Sequence, residues 1–176
     1  FLKQHLRVDE NGSQEVAEEL GLVRALFFDK PPDRTWNLPW HKDTSIAIKD
    51  NSIHSQSFSR PTMKAGVPHV IATDELLKQM VTLRIHLDKV TDENGPLRVG
   101  PGSHVSLESD GVGIEKAVTI HAEVGDVLAM RPLIRHASGS SKTGTLQHRR
   151  ILHLEFAASR RLPDGVQWHD FVGVVN

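Results

Sequence analysis

Residues 81–99, VTLRIHLDKVTDENGPLRV, predict two short strands joined by a turn. Residues 81–87 alternate in the way that predicts a strand, and DENG at 92–95 is a strong turn signal. Residues 97–99 then predict the second strand. Short strands that follow one another so directly are typical of antiparallel sheets.

The rest of the chain continues this pattern. We predict short helices only at 13–20 and 73–80, and a parallel βαβ arrangement would need a longer helix after each strand. We therefore predict an all-β fold, a cupin-like double-stranded β-helix (jelly roll) with a few short flanking helices. The further predicted strands are 23–28, 45–48, 117–121, 127–130 and 151–156.

Composition excludes several classes of function. The 176 residues predict one domain, 1–176, and a net charge of -1 argues against nucleic-acid or polybasic membrane binding. The absence of cysteine excludes disulfides and thiolate chemistry, whereas 11 histidines suit nitrogen-and-oxygen metal sites. No membrane-helix or signal-peptide pattern is present, so we expect a cytoplasmic protein. The chain starts at Phe1, so we also expect that the natural N-terminus is missing.

The segment Trp40-His41-Lys42-Asp43 is the richest in potential chemistry. Residues two apart in an extended backbone point to the same side, so His41 and Asp43 can offer an imidazole and a carboxylate to one metal ion. A late histidine would complete the two-His-one-carboxylate set of non-heme Fe(II) oxygenases. His136 is the best candidate, because the roughly 95 residues after His41 leave room for several strands of ~8 to 12 residues.

A second triplet, His86-Leu87-Asp88, has the same spacing. Only roughly 50 residues separate it from His136, which is tight for the same number of strands. Asp88 also runs straight into the turn. We therefore expect His86 and Asp88 to be strand and turn residues rather than ligands.

A basic pair, Arg149-Arg150, lies directly before the last predicted strand. An arginine placed after the late ligand can hold a dicarboxylate co-substrate through a bidentate pair, and Ser138 can add a hydroxyl hydrogen bond. Strand alternation puts Arg149 on the face of His153 and Arg150 on the apolar face. Arg150 would point inward if the apolar face lined the barrel interior, and Arg149 would do so if that face packed outside the barrel.

Six short motifs follow one another along the chain, and together they resemble those of a known family. They are Phe28-Asp29-Lys30-Pro31, Pro39-Trp40-His41-Lys42-Asp43, Asn94-Gly95-Pro96-Leu97-Arg98-Val99, Pro101-Gly102-Ser103-His104, Gly125-Asp126-Val127, and His136-Ala137-Ser138 through Arg149. Over about residues 23–157 the sequence resembles the phytanoyl-CoA dioxygenase family of Fe(II)- and 2-oxoglutarate-dependent oxygenases. One departure is Lys42, where the family often has glutamine; as the odd residue of its triplet, Lys42 should point away from the iron.

The resemblance implies a double-stranded β-helix that uses Fe(II), 2-oxoglutarate and O2. It implies that His41, Asp43 and His136 are the catalytic iron ligands and that Arg149 and Ser138 bind the distal carboxylate of 2-oxoglutarate. The expected reaction is hydroxylation of an unactivated C–H bond of a small organic substrate, with release of succinate and CO2.

Other residues keep two interpretations. Lys30 can face the co-substrate or be a surface lysine, and Trp40 can line the cavity or anchor its strand; we include both as candidate cofactor-binding residues. For His104 we favour a structural hydrogen bond. The remaining histidines, His54, His69, His121, His148, His153 and His169, are expected not to be ligands.

The substrate class is only partly predictable. No basic clamp for a CoA phosphate is evident, so a small-molecule substrate is favoured, with no nucleic acid or membrane partner. Residues 51–68, polar and rich in turn formers, predict a mobile loop over the site that contributes to substrate choice. The oligomeric state stays open.

Two alternative functions also stay open: a cupin-like metal-dependent hydrolase or isomerase, which needs no Arg149, and a non-catalytic β-barrel binding module.

Overall fold

The computed structural model describes residues 20–52, 55–105 and 114–174. Antiparallel strands dominate this part, as predicted, and no helix in it is long and apolar enough to cross a bilayer. The predicted helix at 13–20 lies outside the described residues, apart from Leu20. The strands are β1 (Gly21–Lys30), β2 (Leu38–His41), β3 (Ser45–Ala47), β4 (Phe58–Lys64), β5 (Val67–Ala72), β6 (Met80–His86), β7 (Leu97–Val99), β8 (Val118–Ile120), β9 (Val127–Met130), β10 (His136–Ser138), β11 (Arg149–Ala157) and β12 (Val172–Gly173); the helices are α1 (Asp74–Leu77) and a 3-10 turn at Pro163–Gly165.

The strands form three sheets, in the orders β12-β1-β11-β6-β9, β2-β10-β7-β8 and β3-β5-β4. By internal contacts the chain divides into two compact units. Of the described residues, the first unit contains those within 20–25, 44–81 and 154–174, and the second contains those within 26–43 and 82–153. The expectation of a single domain stays a prediction.

In the first unit, residues predicted as a loop form a strand. β4 pairs with β5 across a tight turn at Ala65 and Gly66, whose φ values are 48° and 81°. The expectation of a loop over 51–68 is therefore wrong for β4. Pro61 and a register shift at Arg60, where φ is 48°, interrupt the strand pattern, so the sequence did not predict β4. The strand tolerates both because it is exposed and lies at the edge of its sheet.

The predicted helix at 73–80 is much shorter in the structure. α1 spans only Asp74–Leu77, and the amide of Leu76 donates to the Thr73 hydroxyl, which caps the helix as expected. The chain then enters β6 at Met80, which is buried. Burial of this apolar residue in a strand outweighs the weak helix propensity of the segment.

The second unit contains the candidate chemistry. β10 lies between β2 and β7, so His136 is directly opposite His41 on one side and Val99 on the other. A core cluster of Leu97, Val99 and Met130 supports β7 and β9. Each fully buried side chain of this kind stabilises the fold by roughly 1.5–3 kcal/mol, which fixes the strands that carry the site.

The predicted turn at 92–95 is confirmed, and its asparagine binds a segment that is distant in the sequence. Asn94 is fully buried; its amide nitrogen donates to the carbonyls of Lys89 and His148, and its amide oxygen accepts from the Thr91 backbone. One side chain thus closes the turn and holds the residue just before β11.

Candidate active site

Three predicted ligand side chains meet at one place. The candidate ligand atoms of His41, Asp43 and His136 all lie within 4.8 Å of one another. The Asp43 carboxylate lies 3.6 Å from His41 Nε2 and 3.5 Å from His136 Nε2. Ligands that share one ion at about 2.1 Å in a facial arrangement lie about 3 Å apart, so small side-chain movements complete the set. These three residues are called the His-Asp-His cluster below.

Both histidines of the cluster are oriented by the backbone. His41 Nδ1 lies 2.7 Å from the carbonyl of Pro39, and His136 Nδ1 lies 2.9 Å from the carbonyl of Ile134. Because a carbonyl only accepts, each Nδ1 carries the proton and donates it. Each Nε2 is left facing Asp43, where it can bind a metal ion.

The electrostatics of the cluster keep its carboxylate charged. Burial alone would raise the pKa of Asp43, but the nearby His41, His136 and His153 outweigh it and lower this pKa to about 2. Burial lowers the pKa of His136, which favours its neutral form, whereas the hydrogen bond to Asp43 raises the pKa of His41. A carboxylate with a neutral imidazole is a donor set suited to Fe(II).

The second triplet is used differently. The amide and guanidinium of Arg150 donate to the carboxylate of Asp88, at 2.6 to 2.8 Å. His86 Nδ1 lies 3.1 Å from the carbonyl of Asp126. In the described part of the chain, these two residues are in no group of potential metal ligands, and the His-Asp-His cluster is the only such group.

The two neighbouring arginines have opposite environments. Arg149 is buried, and its Nε has no hydrogen-bond partner among the described residues. Burial and the positive charge of Arg84 lower the pKa of Arg149 to about 10. Arg150 is exposed and paired with Asp88. Of these two arginines, only Arg149 thus offers a buried cation with an unsatisfied donor to an anionic ligand.

Lys30 is fully buried rather than a surface lysine. Its Nζ donates to the carbonyl of Gly139 at 2.7 Å, just beyond Ser138, and lies 5.1 Å from the ring centre of Trp36. Burial, followed by the charges of Arg149 and Arg84, lowers the pKa of Lys30 to about 7. Lys30 therefore belongs to a group of buried cations.

Trp40 and Ser138 lie close in sequence to residues of the cluster. Trp40 is half-buried beside His41, with the guanidinium of Arg98 5.6 Å from its ring centre. Ser138 is buried on β10, two residues after His136. Alternation along β10 puts Ser138 on the face of His136.

Two residues near the site were missed from the sequence. Arg84 is buried on β6, on the same face as His86. Alternation in VTLRIHL places its polar residues on one face of the strand, but it does not tell which face is buried. Ser103 lies in the turn after β7. Its hydroxyl donates to the carbonyl of Gly100 at 2.7 Å and accepts from the amide of Arg135 at 2.8 Å, so it braces the chain next to His136.

Comparison with known families decides the relationship. The model of the family described as phytanoyl-CoA dioxygenase (PhyH) matches residues 3–151, a span that contains the His-Asp-His cluster and Arg149. The chain belongs to this family. Enzymes of the phytanoyl-CoA dioxygenase family use Fe(II) and 2-oxoglutarate, so the predicted cofactors, Fe(II), 2-oxoglutarate and O2, are those of its family.

Solved structures share the fold. AviO1 from Streptomyces viridochromogenes Tue57 is 22% identical with a TM-score of 0.54, over 82% of this chain and 53% of its own. EvdO2 from Micromonospora carbonacea var. aurantiaca, complexed with 2-oxoglutarate, is 19% identical with a TM-score of 0.51, over 90% and 56%. SnoN, a non-heme alpha-ketoglutarate-dependent epimerase from nogalamycin biosynthesis, is 17% identical with a TM-score of 0.54, over 85% and 57%.

These likenesses confirm the predicted fold class, an all-β, cupin-like double-stranded β-helix with little helix. The chain spans just over half the length of each of these three structures.

Proposed function

We propose that this protein is a non-heme Fe(II)- and 2-oxoglutarate-dependent dioxygenase that hydroxylates a small organic substrate. The single observation that carries the proposal is the convergence of His41, Asp43 and His136 within 4.8 Å, with both histidines oriented by backbone carbonyls. Membership of the phytanoyl-CoA dioxygenase family supports it.

The residues present fit the metal. His41 and His136 would each supply Nε2, and Asp43 would supply a carboxylate oxygen. His136 is 2% exposed, whereas the side chains of His41 and Asp43 are about one-third exposed, at 30% and 31%. One side of the cluster is therefore fixed in the protein, and the other is reachable by a small molecule.

The residues present also fit the co-substrate. Arg149 is a buried guanidinium whose Nε lacks a partner among the described residues, and an arginine fork matches a carboxylate bidentately. Lys30 is within electrostatic range of Arg149 and buried, so it strengthens the positive potential there. We assign Arg149, with Lys30 and the Ser138 hydroxyl, to the distal carboxylate of 2-oxoglutarate, and Trp40 to the wall of the cavity.

In the mechanism, the chain acts by orienting the groups that it binds. When bound, Fe(II) with 2-oxoglutarate and O2 supplies the oxidising power that attacks a C–H bond. The carbonyls of Pro39 and Ile134 accept hydrogen bonds from Nδ1 of His41 and His136, which leaves each Nε2 to bind the metal. Asp43 stays ionised, and Arg149 neutralises charge at the buried end of the co-substrate.

The binding step is tested by spectroscopy. Fe(II) and 2-oxoglutarate added without oxygen should give the wild type a visible charge-transfer band, and His41→Ala or Asp43→Ala should abolish it. His69→Ala is the control, because His69 Nδ1 also contacts a carbonyl two residues earlier but joins no potential metal group in the described chain. A wild type without the band would contradict the proposal.

The reaction outcome needs its own test, because SnoN has the same fold and is named an epimerase. Candidate small molecules should be screened for those that stimulate succinate release, and the products analysed by mass spectrometry. A gain of one oxygen atom is the expected result. An isomeric product of unchanged mass would contradict the hydroxylation while leaving the cofactor assignment intact.

A further inference from the structure

The first unit contains a cavity of about 700 Å³, and none of the residues that line it has a role in the proposed reaction. One wall of the cavity is a pair of extended segments joined by a β-bridge between Ile48 and Trp168. Next to this bridge, the amide of Lys49 donates to the carbonyl of Gln167 at 3.0 Å, so backbone hydrogen bonds hold the wall in place. Cavities of this volume accommodate small organic molecules.

The lining of this cavity is positively charged. Three exposed cationic side chains line it, those of Lys49, Arg160 and Arg161. Among the described residues, one acidic side chain lines it as well, that of Asp170, whose carboxylate lies 3.8 Å from His169 Nε2. Three cations and one carboxylate leave a net positive charge, which attracts an anion into the cavity.

The fold brings these cations together from distant parts of the sequence. Lys49 Nζ donates to the side-chain carbonyl of Gln167, 118 residues later, at 3.2 Å. Arg160 and Arg161 lie in the segment that follows β11. No single stretch of the sequence therefore contains the charged lining of this cavity.

An aromatic ring orients one of the three cations. The guanidinium of Arg160 lies 4.6 Å from the ring centre of Phe171, which is a cation–π contact. The ring of Phe171 is held by close packing on Gly21, where an added Cβ would lie 2.2 Å from it. A guanidinium stacked in this way has its N–H groups along its edge, in the planar arrangement that binds the oxygens of an anion.

The number of cations favours a phosphate over a carboxylate. A phosphate monoester carries a charge of about −1.5 to −2 near pH 7 and has three strong acceptor oxygens, whereas a carboxylate carries one charge on two oxygens. The cavity is also much larger than a phosphate group, and Leu162, Val166 and Phe171 give it an apolar wall. The ligand that fits is therefore a phosphate attached to an organic group.

We propose that this cavity binds a small molecule that carries a phosphate group. Lys49, Arg160 and Arg161 bind the phosphate, and the apolar wall contacts the organic part of the molecule. The cavity is a second ligand site, which shares no residue with the His-Asp-His cluster or with Arg149. The proposal does not depend on the proposed function.

The experiment measures the binding of three anions by calorimetry in about 0.15 M KCl, where weak long-range attraction is screened. Phenyl phosphate has both the phosphate and an apolar group, inorganic phosphate lacks the apolar group, and benzoate has a carboxylate in place of the phosphate. Phenyl phosphate should bind most tightly. Saturation with Mn(II) and 2-oxoglutarate should leave its affinity unchanged.

Variants of the cationic lining locate the binding. Lys49→Met and Arg160→Met should each weaken the binding of phenyl phosphate about three- to tenfold, because each removes one charged contact. Both side chains are exposed, so the variants should fold, and their melting temperatures check this. Lys78→Met removes an exposed cation of the same unit that does not line the cavity, and it should bind phenyl phosphate like the wild type.

Four results would overturn the proposal. The first is a wild type that binds no phenyl phosphate, and the second is unchanged affinity in both Lys49→Met and Arg160→Met. The third is an affinity for inorganic phosphate or benzoate that equals the affinity for phenyl phosphate, which would indicate an adventitious ion only. The fourth is displacement of phenyl phosphate by 2-oxoglutarate, which would place the binding at Arg149 instead.

Discussion

At the residue scale, the orientation of the candidate ligands is a property of short local segments. His41, His136 and His69 each have Nδ1 close to the carbonyl two residues earlier, at 2.7 to 2.9 Å. His69 shows that this hydrogen bond alone does not mark a metal site. What distinguishes His41 and His136 is the sheet register that places them opposite each other, with Asp43 beside both.

The different environments of Arg149 and Arg150 predict different losses of 2-oxoglutarate affinity when each arginine is mutated. Arg149→Gln should weaken 2-oxoglutarate binding about 10- to 100-fold, because a buried charge-assisted pair to the ligand is lost. Arg150→Gln should leave the affinity unchanged, because Arg150 is exposed and paired with Asp88. Calorimetry on metal-loaded protein measures both. Equal losses in the two variants would contradict the assignment.

The buried Lys30 predicts a pH dependence of stability. Its pKa falls from 10.5 to about 7 on folding, so between these pH values the unfolded chain binds more protons. The contribution of Lys30 to the free energy of unfolding therefore rises with pH across this window. Relative to Lys30→Met, the wild type should gain stability from pH 7 to pH 9 in urea titrations.

Lys116→Met, at an exposed position, is the control for this comparison. A difference between wild type and Lys30→Met that is constant or decreases over the same pH range would contradict the burial of a charged amine at Lys30.

At the element scale, sequence patterns found the strands with clear turns and missed the irregular ones. β7 and β9 were predicted with their observed bounds, because a turn or a glycine precedes each. β2 and β10 have only four and three residues, too few for alternation to show. β4 was missed because proline and a bulge interrupt it.

The candidate site was only partly predictable for a related reason. The His-x-Asp triplet and its spacing to His136 are local features, and the structure brings these residues together. Alternation along β6 and β11 separates polar from apolar side chains but does not tell which face is buried. In both strands the polar face is the more buried one, which hid Arg84 and left Arg149 and Arg150 as alternatives.

Contact between two loops predicts a steric effect at Gly95. Its φ is 68°, and a Cβ there would lie 2.3 Å from the carbonyl oxygen of Gly139, the same oxygen that Lys30 contacts. Gly95→Ala should destabilise the protein by about 2–4 kcal/mol in urea unfolding, from backbone strain and the clash together.

Gly144→Ala separates the two causes. Gly144 has a φ of 84°, and a Cβ added there would have nothing within 4 Å, so only backbone strain applies, about 1 kcal/mol. Equal losses at both glycines would contradict the close approach of the two loops.

At the scale of the whole molecule, net charge conceals the chemistry. The chain carries a net charge of -1, yet the buried charged residues of the described part, histidines aside, are Lys30, Arg84, Arg149 and Glu155. Three of these four are cations, and all three lie in the second unit. Composition therefore excludes a surface that is basic throughout but cannot reveal a buried positive site.

We expect the metal ion and 2-oxoglutarate to stabilise the folded protein when they bind to this site. Mn(II) with 2-oxoglutarate at about 100 times its dissociation constant should stabilise the wild type by roughly 2.7 kcal/mol and raise its melting temperature by about 5–10 °C. Asp43→Ala should show no such shift, and chelation should reverse it in the wild type. A wild-type melting temperature that does not respond would contradict a preformed site.

The exposed pair of Asp88 and Arg150 has a consequence beyond its small energy. Solvent-exposed ion pairs contribute about 1 kcal/mol or less, but this one is bidentate and sits where Leu87 bonds to the Arg150 carbonyl. A slip of β11 by a single residue would exchange the two arginines and turn Arg149 outward. The exposed pair thus marks the register in which Arg149 faces inward, and insertion of one residue between Arg150 and Ile151, which would exchange the two arginines, should abolish 2-oxoglutarate binding even if the protein folds.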